Sequence, residues 1–169
     1  MKENCKEIHQ RRQCGGGGIM IWGMITPNGL LSITKLVGKI NSDKYVDMLS
    51  YFAVRYIKLN MKNNYGFVQD NCKIHTTEKV KELLKNQGAK IIKWPSRSPD
   101  INIIENVWKM VSDIVYENGQ SQNLRELEFK IFQAVDQINN EKRHLIENLY
   151  DSYIKRLTRV LICNGSVYK

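Results

Sequence analysis

Asp70 and Glu105, with the 34 residues 71–104 between them, are the side chains in this chain placed to do chemistry. Asp70 ends the apolar run Tyr65-Gly66-Phe67-Val68-Gln69, and Glu105 opens a helical pattern just after Asn102. Two divalent cations about 3.5–4 Å apart can activate an attacking oxygen and stabilise the leaving oxygen of a phosphodiester displacement. Mg²⁺ prefers hard oxygen ligands, so Asp and Glu are the side chains such a site requires. The spacing alone decides nothing, because 17 acidic residues make many pairs at similar separations. Each residue also has a local reading: Asp70 can close an Asx turn with Asn71, and Glu105 at the third helical position can return to the backbone of an Asn102 cap. The sequence leaves the two readings of each residue evenly weighed. A two-cation site further needs a third carboxylate, and no strand here supplies it.

His75, five residues beyond Asp70, could orient a metal ligand or meet a phosphate, although a histidine before a helix is more often local structure. Asn71 and Asn102 adjoin the two carboxylates; Lys73, Arg97 and Lys109 flank them and could contact DNA phosphates. The 26 Lys and Arg against 17 Asp and Glu give a net charge of +9 and suit a polyanionic partner. Trp22, Trp94 and Trp108 lie in apolar runs and are expected to anchor cores. Cys5, Cys14, Cys72 and Cys163 show no Cys-x-x-Cys spacing, so neither a disulfide framework nor a zinc site around Cys5, His9 and Cys14 is expected. A reducing compartment follows from that. No apolar stretch approaches the roughly 18 residues of a membrane span, and Met1 to Lys6 lack a signal-peptide core, so a soluble intracellular chain with no membrane partner is expected.

The elements that must position these residues follow from periodicity. At 169 residues and 42% hydrophobic content the chain can bury one core of ordinary size. Residues 1–18 read as a basic, glycine-rich, loosely ordered leader; Gly15 to Gly18 precede a strand and no Gly-Lys-Ser/Thr, which excludes a phosphate loop. Ile19 to Ile25, a Pro27-Asn28-Gly29 turn and Leu30 to Val37 predict an antiparallel hairpin. A helix from Ser42 to about Asn60 is capped by Asn41 or Ser42, with Tyr45, Leu49, Phe52, Ala53 and Tyr56 inward. Tyr65 to Gln69 reads as a buried strand. The next helix is capped at Thr76 or Thr77, buries Val80, Leu83 and Leu84, and stops at Gly88, and Ala89 to Trp94 forms a short strand. Three further helices carry Ile104, Val107, Trp108, Val111 and Val115; then Leu124, Leu127, Ile131, Val135 and Ile138 behind an Asn123-x-x-Glu126 capping box; then Ile146, Tyr150, Ile154, Leu157 and Leu161. Alternating strands and helices argue for an α/β sheet with parallel later strands, whose ligands bind beyond the strands' carboxyl ends.

Ile19-Met20-Ile21-Trp22-Gly23, Gln69-Asp70-Asn71 with His75-Thr76, and Trp94-Pro95 leading to Ser98-Pro99-Asp100-Ile101-Asn102 and Glu105-Asn106-Val107-Trp108 together resemble the Tc1/mariner transposases of the DDE superfamily. The resemblance covers residue 15 to the C-terminus. It implies an RNase H-like mixed sheet flanked by helices, with a partial catalytic domain over 19–117 and a helical extension over 118–169. It implies that Asp70 and Glu105 are the second and third catalytic carboxylates and metal ligands, supported by Asn71, His75, Arg97, Asn102 and Lys109. Mg²⁺ or Mn²⁺ is the implied cofactor, two ions if the first carboxylate is supplied. Transposon-end and target DNA, a homo-oligomer and the nucleus follow as partners and location.

Two departures stand out. Ile103 occupies a place where the family commonly has proline, losing a pre-formed first turn but no ligand. The family's first catalytic Asp belongs to a strand upstream of the glycine run, and neither Asp43 nor Asp47, in the helix after the hairpin, can be assigned to it. The sheet is therefore expected to lack its first central strand, and the chain alone is expected to be inactive in transposition. The alternative is a non-catalytic nucleic-acid-binding or oligomerisation module derived from a transposase.

Overall fold

Strand alternation begins the fold: along Leu31–Leu36 (β2), Leu31 and Ile33 are buried while Ser32, Thr34 and Leu36 are half-buried and Lys35 is exposed. Met20–Ile25 (β1) pairs with β2, and the five-residue connection 26–30 makes the pair antiparallel. Pro27 pre-sets the turn, Gly29 N–H donates to Thr26 O at 2.9 Å, and Gly29 takes the left-handed φ of 77° that closes it. The computed structural model describes residues 18–60, 65–92 and 102–162. These fall into two compact units, residues 35–92 in one and 18–34 with 102–162 in the other.

In the second unit Ile103–Tyr116 (α4) buries Ile103, Val107, Val111 and Val115 at four-residue intervals. Ile103 takes the innermost place expected of Ile104, which is half-buried. Leu124–Glu141 (α5) buries Ile131, Ala134, Val135 and Ile138, and Arg143–Ile162 (α6) buries Ile146, closing one core with Ile19, Leu31 and Ile33. Asn123 Oδ1 accepts from Glu126 N–H at 2.9 Å, while Glu126 Oε2 accepts from Gln122 N–H at 2.7 Å, one residue earlier than a strict capping box would place it. Leu124 and Ile154, expected inward, are 40% and 59% exposed. Helical periodicity extends them to positions that no neighbouring element covers among the described residues. Leu157 and Leu161 lie outside the described side chains.

Polar side chains from the helices fasten the hairpin. Asn139 Oδ1 accepts from Leu31 N–H at 2.9 Å and its Nδ2 donates to Leu31 O at 2.8 Å. Tyr150 Oη donates to Ile25 O at 3.1 Å and Arg143 Nε to Asn28 O at 2.6 Å. Leu31 is 1% exposed, so Asn139→Ala strands a backbone donor and an acceptor away from water. A loss of about 1–3 kcal/mol in urea unfolding is expected, with partial retention in Asn139→Asp, which keeps the acceptor and loses the donor.

In the first unit Asn41 caps Ser42–Leu49 (α1) by accepting from Lys44 N–H at 2.9 Å. The helix expected to run on to Asn60 is interrupted by a π segment, Ser50–Val54, before Arg55–Asn60 (α2). Ser50 Oγ donates to Val46 O at 2.8 Å, the type of back-bond that loosens the helical ladder at such a site. Glu78–Asn86 (α3) buries Val80 and Leu84 and ends in a Schellman motif: Gly88, at φ 75°, donates to Lys85 O and Ala89 to Leu84 O.

Gly66–Phe67 (β3) and Lys90–Ile91 (β4) pair in parallel, Gly66 opposite Lys90 and Phe67 opposite Ile91, as expected of the later strands. The buried five-residue strand expected over Tyr65 to Gln69 is corrected to this two-residue ladder, with Gly66 and Val68 exposed. An apolar run reports hydrophobicity, whereas a ladder also requires a partner backbone. The expected Ala89 to Trp94 strand is likewise seen over Lys90–Ile91, and residues 93–101 lie outside the described residues.

Candidate active site

Asp70 lies three residues beyond the carboxyl end of β3, the side of a parallel sheet at which ligands bind. Its Oδ1 accepts from Cys72 N–H at 3.0 Å, which is the Asx turn that the sequence permits. The same oxygen meets His75 Nδ1 at 2.5 Å. The turn continues with His75 N–H donating to Cys72 O at 2.9 Å and Thr76 N–H to the same oxygen at 3.2 Å. Behind it the His75 ring stacks on Tyr45, with centroids 4.2 Å apart and planes at 25°. Tyr45 Oη donates to Gln69 Oε1 at 3.3 Å, and Gln69 Nε2 donates to His75 O at 2.8 Å.

The His75 hydrogen bond, with its charge and the Cys72 N–H adding to it, holds the Asp70 carboxyl below the usual carboxylate range, against partial burial that pushes it up. An ionised carboxylate only accepts, so Nδ1 is the donor in this pair. Both contacts use Oδ1 on a side chain 47% exposed, leaving Oδ2 as the oxygen with coordination capacity to spare. A depressed carboxyl pKa stabilises the fold at pH above the unfolded value of roughly 3.9, and that contribution disappears as pH falls through the folded value. The stability gap between wild type and Asp70→Asn in denaturant titrations is therefore expected to narrow on acidification from pH 6 to below pH 4. A gap that widens would contradict the assignment.

Asp70, Cys72 and His75 bring potential ligand atoms within 4.8 Å of one another. Cys72 is disulfide-bonded, contrary to the reading of the cysteines from spacing, so its sulfur is no thiolate ligand. Spacing detects local pairs, whereas a disulfide depends on Cα atoms brought close by the fold. What remains is an ionised oxygen donor, which fits a hard divalent cation such as Mg²⁺ or Mn²⁺.

Glu105 stands third in α4, behind Ile103 and Ile104, and its N–H donates to Asn102 O at 3.0 Å. Asn102 is the N-cap in backbone conformation, but its side chain makes no capping bond, so the Asn102 half of a capping box is missing. A carboxylate in the first helical turn sits favourably against the helix dipole. Lys109 is exposed one turn later, and Asn71 is exposed beside Asp70. Arg97 and Trp94 lie outside the described residues. Asp70 and His75 come together in one unit, while Glu105, Asn102 and Lys109 belong to the other. Asp43, which its helical place disqualified as the first carboxylate, pairs with Lys79 Nζ at 2.6 Å. Tyr45 and Gln69 were not singled out from sequence as neighbours of the site; the available signal was a tyrosine in an apolar stripe, whose hydroxyl must find a partner when buried.

The sequence pattern of one family, the DDE superfamily endonucleases, matches residues 2–128. This chain belongs to that family. The match begins ahead of the glycine run at which the resemblance was expected to start. Among curated relatives, the transposable element Tc3 transposase of Caenorhabditis elegans is 31% identical over 150 residues, which is 88% of this DDE chain and 46% of that protein. The chain thus spans about half the length of that relative. Among solved structures, the Mos1 transposase paired-end complex with left transposon end superposes with a TM-score of 0.74 at 13% identity, over 99% of this chain and 52% of that one. The Mos1 transposase catalytic domain solved with Raltegravir and Mg gives a TM-score of 0.66 at 14% identity, over 89% and 77%. Likeness at these identities fixes the fold, which is RNase H-like, and the chain resembles the catalytic domain of the Tc1/mariner transposases.

Proposed function

We propose that this chain serves divalent-cation-dependent DNA cleavage and strand transfer, with Asp70 and Glu105 as carboxylate ligands. The observation that carries the proposal is an ionised Asp70 at the carboxyl end of a parallel strand, fastened by His75, in a member of the DDE superfamily endonucleases. Bound Mg²⁺ or Mn²⁺ would supply charge stabilisation at the phosphate and activation of the attacking oxygen. Asp70 offers Oδ2 to the cation while Oδ1 is held by His75 and Cys72 N–H. Glu105 offers a second carboxylate from the first turn of α4, and Lys109 offers a cation to the DNA backbone. Asn71, Asn102 and Arg97 border these groups in sequence and complete the proposed contacts. Under this proposal the chain works on transposon-end and target DNA in the nucleus, within a homo-oligomer. Asp70 and Glu105 account for two of the three carboxylates that such chemistry uses, so cation binding, not turnover, is the direct test.

Mn²⁺ titration of the purified chain, followed by the electron paramagnetic resonance of the free ion, is expected to show binding that Asp70→Asn and Glu105→Gln each weaken at least about tenfold. Equal titrations for wild type and both variants would overturn the proposal.

Phe129 and Phe132, about one turn apart on α5 and 61% and 39% exposed, favour a second reading as a non-catalytic oligomerisation or nucleic-acid-binding module. That reading requires salt-sensitive DNA binding indifferent to Asp70→Ala and Glu105→Ala, with self-association lost on Phe129→Ser.

A further inference from the structure

Asp70 sits beyond the reach of the sheet that leads to it. The ladder bonds around β3 and β4 run from Lys90 N–H to Tyr65 O at 2.9 Å and from Ile92 N–H to Phe67 O at 3.0 Å, and Asp70 follows three residues later. Its placement therefore rests on the Asx turn to Cys72 N–H and on side-chain anchors. The side-chain anchors form a closed circuit: Asp70 Oδ1 to His75 Nδ1, the His75 ring on Tyr45, Tyr45 Oη to Gln69 Oε1, and Gln69 Nε2 back to His75 O. Burial is graded along it. Tyr45 is 3% exposed within the core of α1, the His75 side chain 15% and the Asp70 side chain 47%. The rigid end of the circuit is thus Tyr45, and the solvent end is the carboxylate.

We infer that Tyr45 is a positioning residue, which fixes the plane of His75 by stacking and its backbone through Gln69, so that Asp70 Oδ1 is held and Oδ2 is presented to a cation. The stack and the hydrogen bond divide the work. An imidazole can turn over within its own plane without losing the stack, and only the Nδ1–Oδ1 bond selects one of the two orientations. Conversely, that bond tolerates tilting, and the Tyr45 face removes it. Gln69 prevents the third freedom, a shift of the His75 backbone, by bonding its carbonyl while its own oxygen is held by Tyr45. A ligand oriented through its outer partners typically loses roughly 10–100-fold in metal affinity when they are removed.

This inference rests on the proposed cation-binding role of Asp70, and two readouts separate them. In Tyr45→Leu, which keeps an apolar side chain in the core but loses stack and hydroxyl, the Mn²⁺ dissociation constant is expected to rise about tenfold. The downfield His75 Nδ1–H resonance, measured at fixed pH without metal, is expected to disappear. Tyr45→Phe, which keeps the stack, is expected to retain the resonance. Gln69→Ala cuts the circuit from outside the core and is expected to weaken Mn²⁺ binding with unchanged thermal stability, which covers the case of a Tyr45→Leu chain that does not fold. Wild-type Mn²⁺ affinity together with an intact His75 resonance in Tyr45→Leu, or in Gln69→Ala should the former not fold, would reduce Tyr45 to core packing and overturn the inference. Failure of the wild-type chain to bind Mn²⁺ would overturn the cation-binding proposal instead, and the metal-free resonance would still decide the role of Tyr45.

Discussion

A chain carrying Gly23→Ala is expected to unfold at clearly lower denaturant concentration than wild type, with a loss of about 1–3 kcal/mol, and Gly23→Val more steeply still. The added Cβ would fall on Cη2 of Trp108 and 2.6 Å from its Cζ2, with Ile33 Cγ2 at 3.5 Å on another side. An indole is a rigid plate, and Trp108 packs against the core of α4, α5 and the hairpin, so the collision cannot be relieved by swinging a flexible tip. Either β1 or the start of α4 must move. Trp108→Leu opens that space, and the double variant Gly23→Ala/Trp108→Leu is expected to be less impaired than the sum of its parts, by about 0.5–3 kcal/mol in a double-mutant cycle. Strict additivity would mean that the indole does not lie against Gly23. Because Trp108 follows Glu105 by three residues on α4, the same close approach sets where the first turn of that helix begins.

Leu84→Ala is expected to cost about 2–5 kcal/mol, the usual range for emptying a fully buried leucine site. Leu84 is 0% exposed in a small core made with Tyr45, Met48, Leu49, Ala53, Val54, Ile57 and Val80. Hydrogen exchange is expected to accelerate across 42–49 and 78–86, the helices that share this core, and the His75 Nδ1–H resonance to broaden because Tyr45 stands in the same packing. Wild-type exchange in both helices would show that Leu84 is dispensable.

Local chemistry is what made much of this molecule legible. The Asn41 and Asn123 caps, the Gly88 stop and the Pro27-Asn28-Gly29 turn each join residues close in sequence, and each is found in place. The inward stripe of α4 follows from spacing for the same reason. Long-range facts are the ones that composition conceals. The run Tyr65 to Gln69 is mostly apolar, yet among its described residues only Gly66–Phe67 forms a ladder, because a partner strand cannot be inferred from the run itself. Leu124 and Ile154 satisfy helical periodicity at places where nothing described covers them. The π segment Ser50–Val54 is invisible to a pattern that expects uniform rise. At the site, the flanking motifs drew attention to Asp70 and His75, and their contact spans five residues. Tyr45 is 30 residues from His75, and nothing short of the fold brings those rings together.

The clasp of Asn139 on Leu31 has a meaning beyond the strength of two hydrogen bonds. A carboxamide offers the same donor and acceptor pair as a peptide group, so at Leu31 the side chain imitates one rung of a neighbouring strand. An incoming β-segment seeking to extend the hairpin at that rung must first evict the amide. Exposed strand edges are templates for aggregation, and natural proteins blunt them with whatever covers the free backbone. Here the cover is borrowed from a helix more than 100 residues later, so α5 both fills the core beneath β2 and protects the hairpin from recruiting further chains.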